Sequence, residues 1–530
     1  MKPATPPDMI QNPIIPGFHP DPSFCRVGDD YYIVNSTFEW FPGVPIHHSR
    51  DLKNWRCIGH ILTRRSQLDL RGVVDSGGVW APSLSYADGK FWLIYTNLRN
   101  TGMGRPFKDI KIFLTTADDI LGPWTDPIEL DSIGFDPSLF HDDDGRKYLL
   151  NMEWDFRKGH YRFSGIVIQE YDVARKTLIG ERVKILHKDQ ILTEGPNLYQ
   201  HDGWYYLMLA EGGTGWNHGI SMARSRNLLG PYELDPQPSV ITTRHDESWP
   251  LQKAGHGEIV ETQHGEWFMA HLASRPIGER RCILGRETIL QRVKWKDGWL
   301  RFAHGDVRPL LEIEDPVGLA ECPWTEVPAR DEFDAPRLDV TWSSLRVPMD
   351  ESWLSLTARP GWLRLIGRES LHSLFDQSLV AKRLPHFHVT AETCVDFRPD
   401  HFTQMAGLSF YYNTRFHYYL RITHHEECGR IVGIVVTDNG VYDELEESEL
   451  AIDDWDLVHL RASIDEDKLQ FSASPDGEAW RDIGPVLDAS KISDDYANGF
   501  TGAMIGICAQ DLSGNCKAAD FDWFELKQVP

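Results

Sequence analysis

Three acidic residues, Asp21, Asp136 and Glu194, are the leading candidates for chemistry in this chain of 530 residues. Each opens a short Asp-Pro-Ser or Glu-Gly-Pro motif that precedes an apolar segment. A single Asp before Pro is usually a turn residue. If the fold brings the three together, however, their charges raise one another's pKa values, and such a cluster is typical of acid–base catalysis.

The pattern around these residues recurs five times along the chain. In each copy the motif leads through a Gly-containing turn into an aromatic-rich strand, which is typical of a β-hairpin. The copies begin 55–62 residues apart, a period long enough for a four-stranded propeller blade. A β-sandwich with similar hairpins is the simplest alternative. The first positions of the copies are Asp21, Ala81, Asp136, Glu194 and His256.

The order of the blades predicts a role for each carboxylate. In a propeller the innermost strands begin near the central axis, so we expect the first positions to face one opening. Asp136 and Glu194 lie on neighbouring blades, whereas Asp21 lies across the channel. This arrangement suits inverting glycoside hydrolysis, in which an acid and a base stand about 6.5–9.5 Å apart. We therefore predict Glu194 as the acid, Asp21 as the base, and Asp136 as the group that raises the pKa of Glu194 and orients it.

The pattern changes after about residue 300. Residues 305–330 contain four prolines and are predicted to form a linker. Alternating strands without the propeller repeat follow and indicate a β-sandwich of jelly-roll type. We therefore predict an all-β fold, with a five-bladed β-propeller over residues 1–318 and a β-sandwich over residues 319–530. The strands predicted in the sandwich are 362–366, 386–390, 418–423, 431–437, 458–463 and 469–474.

Composition narrows the partners and the location. The net charge of −25 disfavours nucleic acid and anionic membranes and suits a neutral sugar. Eight cysteines without a CxxC pair predict buried free thiols in a reducing compartment rather than a metal cluster or a disulfide framework. Residues 1–8 lack the features of a signal peptide, and the apolar runs are too short to span a bilayer. We expect a cytoplasmic homo-oligomer.

The motifs, taken in order, resemble glycoside hydrolase family 43, and most closely its two-domain β-xylosidase branch. The resemblance implies a five-bladed propeller with a concanavalin-like sandwich, and an inverting hydrolase whose base, modulator and acid are Asp21, Asp136 and Glu194. It also implies release of D-xylose from the non-reducing end of β-1,4-xylooligosaccharides, with side activity on α-L-arabinofuranosides. The matching segments are 12–23, 78–82, 134–138, 193–196, 255–257, 285–288 and 519–524.

The same resemblance implies further site residues. Phe38, Trp80 and Trp154 would stack on the sugar, with core packing as the alternative for each. Arg286 would hydrogen-bond substrate hydroxyls or hold a carboxylate, with a surface ion pair as the alternative. His256 would line the sugar site and ligate a channel metal ion, with a structural role as the alternative. Phe500 would come from the sandwich as a lid that enforces exo cleavage.

No cofactor is required for the predicted chemistry, but a structural metal is implied. The resemblance suggests a calcium ion in the sandwich, held by Asp334, Asp522 and the carbonyl of Gly361. Carboxylate and carbonyl oxygens are the ligands that Ca²⁺ prefers. Paired acidic residues at strand ends without a metal are the alternative.

Three other functions remain open at this point. The first is an α-L-arabinofuranosidase, or an enzyme with both activities, on the same machinery. The second is a carbohydrate-binding protein that has kept the propeller without catalysis. The third is a retaining, fructosidase-like enzyme, which needs its two carboxylates only about 5–5.5 Å apart.

Overall fold

The computed structural model describes residues 9–101 and 106–529. Within these ranges the chain is almost entirely β-structure, with one 3-10 helix, Ala489–Lys491, and one short α-helix, Asp494–Ala497. The predicted all-β fold, a propeller followed by a sandwich, is confirmed. Residues 1–8, for which the sequence predicts no signal peptide, lie outside the described residues.

Five antiparallel sheets form the propeller, and each begins with one of the predicted hairpins. Blade one contains Ser23–Val27, Asp30–Val34, Gly43–Ser49 and Arg56–Leu62, and blade two contains Gly78–Ala87, Lys90–Asn100, Asp109–Ala117 and Ile128–Asp131. Blade three contains Gly134–His141, Lys147–Trp154, Phe163–Asp172 and Thr177–Leu186. Blade four contains Thr193–His201, Trp204–Glu211, Gly219–Ser225, Glu233–Leu234 and Ile241–Thr242, and blade five contains Gln252–Glu261, Trp267–Ser274, Glu287–Lys296 and Trp299–Phe302.

Two large antiparallel sheets form the sandwich, and their inner faces pack around one apolar core. The first contains Arg330–Asp331, Leu354–Ser355, Leu363–Ile366, His388–Asp396, Val458–Asp465, Lys468–Ser474, Arg481–Asp488 and Ala518–Gln528. The second contains Trp40–Phe41, Ser343–Leu345, Ser378–Arg383, Gln404–Asn413, Phe416–His425, Gly429–Asp438, Val441–Ala451 and Met504–Asp511. The six predicted strands all fall within or overlap these elements.

One strand of the propeller belongs to a sheet of the sandwich. Trp40–Phe41, in the loop between the second and third strands of blade one, pairs with Ser343–Leu345. The side chain of Trp40 is fully buried and packs edge-on against Tyr411 of the sandwich. The two parts therefore share hydrogen bonds and core, which the sequence pattern did not predict.

The predicted linker is only partly irregular. Glu312–Glu314 lies inside it and pairs with Met9–Gln11, so that both ends of the propeller segment join in a small sheet. The next strand after it is Arg330–Asp331, which pairs with the last strand of the sandwich. The boundary between residues 318 and 319 stays a prediction.

Candidate active site

A shared backbone feature turns the repeat motifs toward the axis. Asp21, Ala81, Asp136 and His256 all have positive φ, between 34° and 53°. Non-glycine residues rarely adopt this conformation, which costs roughly 1–3 kcal/mol and tends to be kept at functional sites. The pairing of the inner strand with its neighbour shifts register at Ala81, Asp136 and His256, as it does at a β-bulge.

Blade four departs from this pattern by one residue, so the expected equivalence of Glu194 with Asp136 was wrong. The left-handed residue there is Gly195, with φ of 54°, and Glu194 takes the position that Phe135 has in blade three. A Cβ at Gly195 would lie only 3.0 Å from Cε1 of His256. A side chain at the bulge would press on the imidazole and would have to adopt a positive φ, which favours glycine there and a carboxylate on the preceding residue.

The serine at the third position of the Asp-Pro-Ser motif forms hydrogen bonds between the inner strands of different blades. The side chain of Ser23 donates a hydrogen bond to Glu258 and accepts one from the backbone N–H of Leu84. Ser138 donates to the carbonyl of Pro196 on the neighbouring blade. Burial raises the pKa of Glu258 to about 7. These bonds hold the blades together below the site and fix the spacing of the residues above.

The three predicted catalytic carboxylates line one cavity of about 220 Å³. All six residues predicted to bind substrate line it as well, so the structure brings together every residue predicted for the sugar site. Pockets for drug-sized ligands usually measure roughly 300–1,000 Å³, and this smaller volume suits a single sugar unit. The predicted residues in the lining are Asp21, Phe38, Trp80, Asp136, Trp154, Glu194, His256, Arg286 and Phe500.

Asp21 is held in its ionised form. Arg286 donates from Nη1 to Oδ1 of Asp21 at 2.9 Å, and the hydroxyl of Ser36 donates to Oδ2 at 2.6 Å. Burial alone would raise the pKa of Asp21, but Arg286, His256 and the Ser36 hydrogen bond outweigh it and lower the pKa. A carboxylate that stays ionised and accepts hydrogen bonds is suited to the role of a general base.

Asp136 and Glu194 have the opposite environment. Burial raises the pKa of Glu194 to about 7, and the negative charge of Asp21 adds to the effect. The pKa of Asp136 is raised by burial and then by the charges of Glu194 and Asp21. The described structure records no ion pair to either group. Carboxyl groups in such surroundings keep a proton near neutral pH and can donate it to a leaving group.

Arg286 also joins the base to the sandwich. Its Nη2 donates to the carbonyl of Phe500 at 2.9 Å. The ring of Phe500 stacks near Phe38, with centroids 6.2 Å apart, and meets Trp80 edge-on at 5.5 Å. The hydroxyl of Ser76 accepts a hydrogen bond from the backbone N–H of Phe500. The sandwich therefore contributes Phe500 to the wall of the cavity, and its role as a lid stays a prediction.

Lys108 is a cavity residue that sequence reasoning missed. Its ammonium lies 5.0 Å from the ring centroid of Trp80 and 4.9 Å from that of Trp154. Burial lowers the pKa of Lys108, while Glu194 and Asp136 counteract the shift. The lysine in turn lowers the pKa of Glu194. Nothing in its local sequence distinguishes it from a surface lysine.

Other missed residues complete the apolar wall. Phe135 precedes Asp136 as Trp80 precedes Ala81, so the repeat itself carried the signal for this residue. The remaining ones lie in loops or outer strands without a repeat signal. Sequence reasoning missed Phe135, Phe163, Leu192, Gly213 and Thr214 in the lining.

The predicted metal positions have donors of the appropriate kinds. Burial lowers the pKa of His256, so its imidazole stays neutral, as a metal ligand must. Its Nδ1 lies 3.9 Å from Oδ1 of Asp21, the oxygen that already pairs with Arg286. A channel metal at His256 stays a prediction.

In the sandwich, Asp334 and Asp522 are close enough to interact. Burial raises the pKa of Asp522, and the negative charge of Asp334 raises it further. Nearby cationic groups lower it, but the net shift is upward. Oδ1 of Asp334 lies 3.4 Å from the point where Gly361 would carry a Cβ. Hard oxygen donors from the three residues fit the chemistry of Ca²⁺.

All eight cysteines are free thiols, but only four of them are buried, whereas the expectation was that free thiols would be buried. Among the described residues, one group could bring three metal ligands together: Cys282, Asp494 and Asp495. The ammonium of Lys253 donates to both carboxylates there, so the group already has its counter-charge. None of the helices in the described ranges is long and apolar enough to cross a membrane.

A five-bladed propeller whose axis gathers an ionised and a protonated carboxyl group defines a glycoside hydrolase. The family model for glycosyl hydrolases family 43 matches residues 10–300, and the beta-xylosidase C-terminal concanavalin A-like domain matches residues 330–527. The chain belongs to glycosyl hydrolases family 43.

Relatives match along nearly the whole chain. The crystal structure of a xylan beta-1,4-xylosidase from Bacillus halodurans is 52% identical with a TM-score of 0.96, and the match covers 98% of this chain and 100% of that one. A beta-xylosidase of Bacillus subtilis is 46% identical over 98% of this chain and 99% of its own length. A xylosidase/arabinosidase of Humicola insolens is 44% identical over 98% of both chains.

Proposed function

We propose that this chain is an inverting, exo-acting β-xylosidase that releases D-xylose from the non-reducing end of β-1,4-xylooligosaccharides. One observation carries the proposal: within a single cavity, Arg286 lowers the pKa of Asp21 while burial raises that of Glu194 to about 7. Opposed shifts of two carboxyl groups assign the base and the acid.

In the proposed reaction, Glu194 donates its proton to the glycosidic oxygen as the bond to the leaving sugar breaks. Asp21 accepts a proton from the water that attacks the anomeric carbon from the opposite face. Asp136 orients Glu194, and the two neighbouring acidic groups oppose each other's ionisation. The aromatic wall excludes bulk water, which strengthens each of these electrostatic interactions.

Exo action follows from the shape of the cavity. Its volume of about 220 Å³ leaves room for one sugar, and Phe500 of the sandwich covers part of its mouth. A polymer cannot pass through such a site, so only a chain end can enter. The remaining sugars of the oligosaccharide must therefore lie outside the cavity, beyond the carboxylates.

The sugar is proposed from the relatives. Those from the two Bacillus species are named as xylosidases, and one of them as specific for the β-1,4 linkage. The relative named xylosidase/arabinosidase favours α-L-arabinofuranosides as a second substrate class. Comparing kcat/KM on p-nitrophenyl β-D-xylopyranoside and α-L-arabinofuranoside tests the choice. Preference for the xyloside by tenfold or more supports the proposal, and the reverse preference overturns it.

The roles of the two carboxyl groups are tested with leaving groups of different quality. Glu194→Ala should lose roughly 10²–10⁴-fold in kcat on xylobiose but far less on an aryl xyloside, whose leaving group needs no proton. Asp21→Ala should lose activity on both, because water attack is needed in each case. Equal losses for both variants on both substrates would contradict the assignment. Glu194→Gln with unchanged turnover on xylobiose would contradict Glu194 as the acid, whereas binding of xylobiose without any turnover by the wild type would favour a non-catalytic sugar-binding protein.

We further propose that Asp334, Asp522 and the carbonyl of Gly361 hold a structural Ca²⁺. The position of Asp334 beside Gly361 and its effect on Asp522 support this site. A bound cation would neutralise two acidic groups at the edge of the sandwich core and stabilise the fold. A homo-oligomeric state and a cytoplasmic location remain proposals from the sequence.

A further inference from the structure

A second cavity, of about 440 Å³, lies where the propeller meets the sandwich. The propeller contributes His19 and His47, and the sandwich contributes Lys382 and Arg383. Its lining contains no Asp or Glu. In a chain with a net charge of −25, two cationic and two imidazole side chains around one cavity are a clear departure from the average surface.

Arg383 lacks a counter-charge among the described residues. Its Nε donates to the carbonyl of Phe18 at 2.8 Å, and its guanidinium lies 5.5 Å from the ring centroid of Phe18. Its Nη2 is shut off from solvent and has no hydrogen-bond partner in the described parts of the chain. Burial lowers the pKa of Arg383 to about 10. Arg383 is half-buried, and a cation that is partly removed from water without a counter-charge is unfavourable unless an anion binds beside it.

Other enclosed arginines of this chain have a carboxylate or several carbonyls as partners, although Arg286, Arg346 and Arg430 each also keep one nitrogen without a hydrogen-bond partner among the residues that the structure describes. Arg286 pairs with Asp21, and Arg346 pairs with Asp75 at 2.7 Å. Arg430, which has no carboxylate at hydrogen-bond distance, donates instead to several backbone carbonyls. Arg383 has neither kind of compensation beyond one carbonyl.

The neighbouring groups add one more cation to the lining. Lys382 lies 4.9 Å from the ring centroid of Trp342, with Asp331 and Asp339 acting on it only at longer range. The imidazole of His47 is 4% exposed. Burial, reinforced by the charge of Arg383, lowers the pKa of His47 to about 3, so the ring is neutral and contributes no counter-charge.

We propose that this cavity binds a small oxyanion, with a phosphate or carboxylate group on Arg383, between the propeller and the sandwich. A guanidinium presents a fork of N–H donors that matches the oxygens of such groups, and an ammonium adds charge. Because Arg383 belongs to the sandwich and His47 to the propeller, the anion links the two parts. Binding therefore stabilises the packed arrangement of the whole chain.

The test measures anion binding to the full-length protein. Isothermal titration calorimetry uses inorganic phosphate and, separately, succinate, which binds Ca²⁺ only weakly, at constant ionic strength set with sodium chloride. Thermal unfolding is followed in the same solutions. We expect saturable binding of at least one of the two anions, with a rise in Tm that reaches its plateau at the same concentrations. The two titrations distinguish a phosphate site from a carboxylate site.

Saturation separates site binding from the general stabilisation that phosphate gives by exclusion from protein surfaces, which keeps increasing with concentration. A rise in Tm without saturation and without heat of binding would overturn the proposal.

Two variants locate the site. Arg383→Met keeps an apolar stem and removes the unpaired charge, so it should fold with a Tm no lower than that of the unliganded wild type and should lose anion binding at least tenfold. Lys382→Met should weaken binding by a smaller factor and keeps the test valid if the first variant is unstable. The matched control is Arg398→Met, at an arginine whose side chain is 57% exposed. Unchanged binding in both cavity variants would overturn the proposal.

Discussion

Arg286 donates a hydrogen bond from Nη1 to Oδ1 of Asp21 at 2.9 Å. Its second terminal nitrogen donates to the carbonyl of Phe500 at the same distance. One guanidinium thus sets the charge state of the proposed base and fixes the lid that the sandwich contributes. The sandwich is therefore part of the active site, and the two domains are expected to act as one catalytic unit.

Removing the arginine should change the acidic side of the pH profile. Asp21 must be ionised for activity, and Arg286 is the largest influence that lowers its pKa. In Arg286→Met the pKa of Asp21 rises, so the acid limb of kcat/KM on an aryl xyloside should move to higher pH. The lost charged hydrogen bond is worth about 1.5–3 kcal/mol, or roughly 10–100-fold in rate at the optimum. Arg50→Met, at a side chain that is 58% exposed, is the control. An acid limb that stays in place would contradict this reading of the Arg286–Asp21 pair.

The alkaline limb of the pH profile should depend on Lys108. Glu194 must be protonated, so activity falls as pH rises through its pKa of about 7. Lys108 lowers that pKa, and Lys108→Met should raise it and move the alkaline limb of kcat/KM on xylobiose to higher pH. The control is Lys111→Met, on the strand that begins directly after Lys108, whose ammonium pairs with Glu129. A shift to lower pH, or the same shift in the control, would exclude an interaction of Lys108 with the acid.

Phe500 should affect substrate binding more than chemistry. Its ring contacts Phe38 and Trp80, and each aromatic pair contributes about 0.5–1.5 kcal/mol. Phe500→Ala should raise KM for xylobiose by roughly tenfold and leave kcat within a few-fold. Activity on xylotriose and polymeric xylan should rise relative to xylobiose, because the mouth is wider. Phe402→Ala, at an aromatic residue of the sandwich that is 51% exposed, is the control. An unchanged KM would show that the lid does not contact the sugar.

The calcium proposal predicts a loss of stability on metal removal. Treatment with a chelator should lower Tm by about 4 °C or more, because an ion bound only to the folded state contributes directly to its stability. Re-addition of Ca²⁺ should restore Tm, and Asp334→Asn should have a low Tm that no longer responds to the chelator. Asp465→Asn, at an exposed acidic residue of the sandwich, should behave like the wild type. A wild-type Tm that does not change on treatment with the chelator would contradict the proposal.

The fold and most of the sugar site could be predicted because the repeated motif is recognisable in the sequence. Each copy of the motif carries its own turn residues and apolar strand, so local chemistry indicated a blade, and five blades required an axis. Asp21 and Asp136 were found at matching positions for this reason. The offset of Glu194 could not be read in the same way. It depends on the narrow space beside His256, which favours glycine at the bulge.

Contacts between distant parts of the chain could not be predicted from the sequence pattern. Lys108 enters the cavity from a loop without a repeat, and Trp40–Phe41 joins the sandwich by only two residues. The environment of Arg383 likewise arises only when the sandwich packs against blade one. Each of these features depends on how two distant parts of the chain pack against each other. A repeat pattern in the local sequence gives no information on such contacts.

The stereochemistry of the released sugar tests the central claim most directly. Proton NMR during the first minutes of xylobiose hydrolysis distinguishes the anomer formed by the enzyme from that produced by later mutarotation. A base and an acid on opposite faces of the sugar predict inversion, so α-D-xylose should form first from the β-linked substrate. If β-D-xylose forms first, the reaction retains configuration, and Asp21 cannot act as the base for a water molecule as proposed here.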